Sequence, residues 1–107
     1  MKVLIIEPGK HPKVRNIENK LETYQKIVEG YIEIIYPFED EIALVCNDEA
    51  KLKADIKWNR LLENYDIIAG TFFICGIDED DLTDLADELM EKIQAEILEY
   101  RKVLYTA

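Results

Sequence analysis

The sequence predicts an α+β domain: a sheet of about four strands, mixed or antiparallel, with two helices on one face. Three observations carry this. Runs rich in β-branched and aromatic residues recur at 2–6, 31–38, 42–46 and 66–77, with Gly, Pro, Asn, Asp or Glu between them. Two other segments, one over 16–30 and one in the last third of the chain, carry apolar residues at helical spacing. The 107 residues fit a single domain, 1–107. A fold of that size buries roughly 60–70% of the surface its unfolded chain exposes.

Each element has its own justification. The first strand, 2–6, closes at the turn pair Pro8-Gly9. Asn16 is placed to cap the free amides of a helix in which Ile17, Leu21, Tyr24, Ile27 and Val28 share a face. Gly30 is placed to end that helix in a left-handed conformation. Residues 31–38 form a strand whose far end Pro37 limits. Glu39-Asp40-Glu41 then turns the chain into strand 42–46, giving a hairpin. The first strand, helix and second strand suit a right-handed crossover between parallel strands.

Asn47-Asp48-Glu49 signals another turn. Residues 50–64 read as a short helix or an ordered loop packed by Trp58, Leu61 and Leu62. The last strand is 66–77, with Gly70 marking a bulge or a close backbone approach. The last helix starts at Asp78 or near Asp84. Its stripe is Leu82, Leu85, Ala86, Leu89, Ile93, Ile97 and Tyr100, with Asp84, Asp87, Glu88 and Glu91 opposite. Acids at 78–81 suit the positive end of its dipole, and Lys92, Arg101 and Lys102 fall toward the negative end. The expected order is β-α-β-β-(short helix or loop)-β-α.

Charge is the most informative feature for function. The chain has 23 acids, 13 bases and a formal charge of −10. No Lys or Arg occurs between Arg60 and Lys92, and residues 61–91 carry ten acids; without them the balance is 13 to 13. Eight of the ten lie between Asp78 and Glu91. On one helix rising about 1.5 Å per residue, that is one charge per about 2.6 Å, against about one per 1.7 Å of duplex DNA axis. Asp80, Asp81, Asp84, Asp87, Glu88 and Glu91 are therefore the candidate partner-binding residues, on a face that mimics DNA and docks a basic protein surface. A solvated helix whose acids complement its own dipole accounts for the same residues.

Other chemistries find little support. No apolar run approaches the roughly 20 residues of a membrane span. The apolar N-terminal run is too short for a signal peptide and is broken by Glu7. A cytoplasmic location is expected. Cys46 and Cys75 sit in apolar runs and read as buried free thiols. There is no serine, and the glycines at 9, 30, 70 and 76 form no phosphate loop. His11 is the sole histidine, no CxxC occurs, and the run 78–81 lacks the alternation of a calcium loop. The expectation is a protein that is not an enzyme and uses no metal or cofactor.

Trp58, Asn59 and Arg60 form the alternative site. An aromatic face, an amide and a guanidinium can together hold a base or a phosphate of a small ligand such as a nucleotide. Arg60 can equally pair with Glu63 or Asp66 while Trp58 fills the core. Lys51, Lys53, Lys57 and Arg60 make too small a basic patch for direct nucleic-acid binding. The six tyrosines suit a third reading, a structural homodimer joined through a tyrosine-rich surface and the last helix.

Val-Glu-Gly-Tyr-Ile-Glu (28–33), Ala-Leu-Val-Cys-Asn-Asp-Glu-Ala-Lys-Leu (43–52), Asn-Arg-x-Leu (59–62) and Asp-Ile-Ile-Ala-Gly-Thr-Phe-Phe-Ile (66–74) follow one another in order. This pattern, over roughly residues 2–93, resembles a family of small proteins classed as a domain of unknown function and carried by bacterial phages and mobile elements. The family often has Gly where this chain has Ala50, and a Pro-rich approach to Asn-Arg where this chain has Ile56-Lys57-Trp58. The resemblance implies no activity and no catalytic residues. It implies a setting in which small acidic proteins inhibit host restriction or CRISPR nucleases.

Overall fold

The computed structural model describes residues 1–62, 65–99 and 101–102. The chain runs β1 (Lys2–Ile6), β2 (Lys13–Asn16), α1 (Leu21–Val28), β3 (Ile32–Ile35), β4 (Ile42–Asn47), a 3₁₀ turn (Ala50–Leu52), β5 (Trp58–Leu61), β6 (Ile67–Ala69), β7 (Phe72–Asp78), β8 (Asp81–Thr83), α2 (Asp87–Glu99) and β9 (Arg101–Lys102). The class is α+β, as the sequence predicts, but the sheet is larger. Six strands lie in the order β2-β1-β7-β4-β3, with β8 paired to the end of β7, and a second sheet has the order β6-β5-β9. Every ladder is antiparallel.

Burial on two faces explains the arrangement. Phe72, Phe73, Ile74 and Cys75 of β7 are all fully buried, and every residue of β4 is buried. Such strands gain from an unbroken apolar run, because each side chain meets an apolar layer whichever way it points. Leu4, Ile6, Ile42, Leu44, Phe72 and Ile74 pack on one side with Leu85, Met90, Ile93 and Ile97. Val3, Ala43, Val45, Phe73 and Cys75 pack on the other with Tyr24 and Val28. Each of these large side chains contributes about 1.5–3 kcal/mol on burial. The two helices therefore cover opposite faces, which corrects the expectation of a single helical face. The expected parallel crossover is also absent: β7 sits between β1 and β4, and β3 lies at the edge.

Several boundaries differ for local reasons. Residues 13–16 do not lead into the helix; they turn back as β2 to pair with β1. The α1 helix begins only at Leu21, with no side-chain cap from Lys20. Leu21 is largely exposed. Asn19 accepts a hydrogen bond from the Tyr24 hydroxyl and donates to the Leu82 carbonyl at 3.1 Å. At the other end Glu29, not Gly30, takes the left-handed conformation (φ 62°). Gly30 is required for space, since a Cβ there would lie 2.7 Å from Asn47 Nδ2.

The expected strand 66–77 is two strands broken at Gly70 (φ 76°), and the bulge lies instead between Trp58 and Arg60 in β5. In the acidic region β7 continues to Asp78, Glu79 turns the chain (φ 58°), and Asp81 begins β8. Helix α2 starts at Asp87, closer to the later of its two expected starts. Of its expected stripe, Leu85, Ile93 and Ile97 are buried, Ala86 is exposed, Leu82 packs on the α1 side and Tyr100 lies outside the described residues. Among the described residues no helix is long and apolar enough to cross a membrane.

Candidate functional site

The acids expected on one helix are divided between a hairpin and a helix. Asp78, Glu79, Asp80 and Asp81 form the β7–β8 hairpin tip, and Asp87, Glu88 and Glu91 lie in the first half of α2. Only residues 84–86 separate β8 from α2, so hairpin and helix start are neighbours. The charge spacing calculated for a continuous helix does not apply to this layout. Concentration of acids within residues 78–91, on two adjoining elements, does.

Two of the six acids are tied into the fold. Asp84 Oδ1 accepts the Lys2 backbone N–H at 2.7 Å, and the Leu85 N–H donates to the Lys2 carbonyl at 2.8 Å. Lys2 Nζ reaches Asp87 Oδ1 at 2.7 Å, and this hydrogen bond and charge raise the Lys2 pKa. Gly76 lets the Asp84 carbonyl approach, since a Cβ there would collide with it. Asp80, Asp81, Glu88 and Glu91 are exposed and, among the described residues, make no ion pair.

Trp58, Asn59 and Arg60 sit at the seam between the two sheets. The β5 bulge turns both Asn59 and Arg60 inward, and both are fully buried. Asn59 Nδ2 donates to the Ile6 carbonyl at 2.9 Å and the Gly70 carbonyl at 2.8 Å, and its Oδ1 accepts from Arg60 Nη1 at 2.9 Å. Arg60 Nη2 donates to the Lys10 carbonyl at 2.5 Å. Burial lowers the Arg60 pKa, and its Nε finds no acceptor among the described residues. Asp66 does not serve Arg60; it pairs with Lys51 at 2.6 Å, whose hydrogen bond lowers the Asp66 pKa. Glu63 lies outside the described residues. Trp58 is half-buried, opposite Ala69. The amide and guanidinium thus bind main-chain carbonyls of two distant segments, residues 6–10 and Gly70.

Two concavities among the described residues lie elsewhere. A groove of about 120 Å³ between β4 and β6 is lined by Glu33, Cys46, Asp48, Lys51, Tyr65 and Asp66 among others. A smaller hollow of about 80 Å³ is lined by Glu29, Asn47, Lys53, Asp55, Lys57 and Gly70 among others. Neither includes Trp58, Asn59 or Arg60. Cys46 donates weakly to the Glu33 carbonyl at 3.7 Å. Burial pushes the thiols of Cys46 and Cys75 up to about 12, so both are protonated and poorly nucleophilic at neutral pH. Both thiols are free. Among the described residues no three His, Cys, Asp or Glu side chains are grouped to hold a metal ion.

Sequence reasoning missed Asn47, which it took only for a turn residue. Its Nδ2 donates to the Val28 carbonyl at 2.9 Å and the Glu29 carbonyl at 3.1 Å, and its Oδ1 accepts the Glu49 N–H at 2.7 Å. The turn signal Asn-Asp-Glu was visible; the carbonyls it would meet across the sheet were not.

A two-faced antiparallel sheet with a helix on each face, whose buried Asn59 and Arg60 serve its own architecture, defines a small α+β domain. The chain belongs to the family described as a domain of unknown function, DUF3846, whose model matches residues 1–98. No curated protein and no solved structure matches it.

Proposed function

We propose that the protein is a non-enzymatic binding module that docks a basic surface of another protein through its acidic end. The observation that carries this reading is the clustering of exposed acids on the β7–β8 hairpin and the first half of α2, where Asp80, Asp81, Glu88 and Glu91 have no cation of their own among the described residues. A surface of one sign steers and holds an oppositely charged partner, and the attraction weakens as salt screens it. The resemblance to proteins of phages and mobile elements supports a cytoplasmic role as an inhibitor of a host nucleic-acid-handling defence enzyme. Such enzymes carry the basic channels that an acidic surface fits.

The test separates docking acids from structural ones. Asp84 and Asp87 are left intact because they hold Lys2. Asp80→Asn, Asp81→Asn, Glu88→Gln and Glu91→Gln are combined in one variant. Host proteins captured by wild type and variant are compared at about 0.05 M and about 0.5 M salt. The expected result is a nucleic-acid enzyme held by wild type at low salt only, and not by the variant. A partner retained by the variant, or at high salt, rules out docking through the acidic end.

A further inference from the structure

The large sheet ends in two edge strands that are guarded differently. β2 reads Lys-Val-Arg-Asn, and its basic side chains discourage a further strand. The Ile17 N–H donates to the Met1 carbonyl at 2.8 Å, so by alternation the Val14 main chain points away from β1. Arg15 Nη1 then closes that outward carbonyl, donating to Val14 O at 2.8 Å. The edge is capped by its own side chain.

Among the described residues, no side chain caps β3 in this way. Its sequence is Ile-Glu-Ile-Ile, flanked by Tyr31 and Tyr36. Tyr31, Ile34 and Tyr36 are exposed by 70%, 37% and 58%. The Asp48 N–H donates to the Tyr31 carbonyl at 2.9 Å, so Tyr31, Glu33 and Ile35 direct their main-chain groups toward β4. By the same alternation Ile32 and Ile34 direct theirs outward, and the inward Ile35 carbonyl sets the Tyr36 N–H outward just past the end of β3. Ile32, Ile34 and Tyr36 also share the sheet face that carries α1, since Ile32 and Ile34 lie opposite Asn47 and Val45. Among the described residues, this edge thus presents unpaired main-chain groups and apolar side chains at the same positions.

We propose that β3 pairs antiparallel with β3 of a second copy, about a two-fold axis through Ile34. The sequence selects this register. A two-fold axis perpendicular to the sheet keeps faces matched, so only even shifts are allowed. With Ile34 opposite Ile34 of the second copy, Ile32 faces Tyr36 and Glu33 faces Ile35. The outward main-chain groups of Ile34, the Ile32 carbonyl and the Tyr36 N–H then find partners. Of the two neighbouring registers, the one about Glu33 sets Glu33 directly against Glu33, and like charges directly opposite destabilise a pair; the one about Ile35 sets Ile32 against Phe38, beyond Pro37 and outside β3. Each chain carries −10, so repulsion between copies falls as salt rises, and salt strengthens the dimer. That trend is opposite to the one expected of acidic docking, so the two readings succeed or fail separately.

The test is sedimentation equilibrium of the intact protein over about a hundredfold range of concentration, at low and high salt. The wild type is expected to rise from 12.5 kDa toward twice that mass, more readily at high salt. Ile34→Lys, which sets lysine against lysine, is expected to remain at the single-chain mass with an unchanged circular dichroism spectrum. Hydrogen exchange on the wild type supplies an independent readout: the Ile32, Ile34 and Tyr36 amides are expected to slow as concentration rises, while Val14 and Asn16 do not. A single-chain mass under all conditions overturns the proposal. So does a dimer indifferent to Ile34→Lys, or an open-ended ladder of masses, which means head-to-tail pairing of β3 with β2.

Discussion

Cys46 and Cys75 show how an interior position changes what a side chain can do. Each thiol rises from an ordinary 9.0 to about 12 because burial disfavours the thiolate. The folded protein keeps protons that the unfolded chain gives up from about pH 9. This contribution to stability is full below that pH and is lost as pH climbs toward 12. Urea midpoints measured between about pH 8 and 11 are expected to fall, and to fall less steeply in a Cys46→Ala, Cys75→Ala protein. Equal slopes would mean that the thiols do not carry the effect. Burial of both cysteines was legible in the sequence from the apolar runs around them. Burial of Arg60 was not. A guanidinium beside a tryptophan reads as well for a ligand site as for a core, and only the bulge that turns Asn59 and Arg60 inward together decides their orientation.

At the scale of elements, short polar contacts fasten each helix to the sheet. Asn47 joins the last carbonyls of α1 to the end of β4, and Gly30 gives it room. Helix ends leave carbonyls without partners, and a buried carbonyl stripped of its donor costs about 1–3 kcal/mol. Asn47→Ala is therefore expected to lower unfolding free energy by about that amount, with native-state hydrogen exchange rising first in α1. Uniform acceleration across the sheet would contradict this local role. Elements with strong periodicity were legible, including the Ile93 and Ile97 stripe of α2. β2 was not, because Lys-Val-Arg-Asn carries no buried face and exists only through pairing with β1. The hairpin within the acidic run was hidden for another reason: its left-handed turn residue is Glu79, and no glycine announces it.

At the scale of the molecule, an unbroken apolar run told more than its alternation. Ile-Ala-Leu-Val-Cys and Phe-Phe-Ile-Cys have no polar face, which already implies layers on both sides of the sheet. Reading those runs as strands was enough for the α+β class; reading them as doubly covered would have separated the helices. Strand order lies further from sequence, because neighbours in space need not be neighbours in the chain. Sequential β3 and β4 pair as expected, whereas β1 and β4 both meet a strand that follows them by many residues.

That late arrival has a consequence for how the protein is made. Both flanks of the central strand leave the ribosome before Phe72 does, so the emerging chain holds two open inner edges with nothing between them. Contacts this distant in sequence form late and slowly. A fragment ending at residue 71 is expected to show little sheet by circular dichroism, and a cooperative melt from that fragment would refute the expectation. During translation the nascent chain must therefore be kept from pairing with other strands, and only once residues 72–78 clear the exit tunnel can the two halves of the sheet be joined.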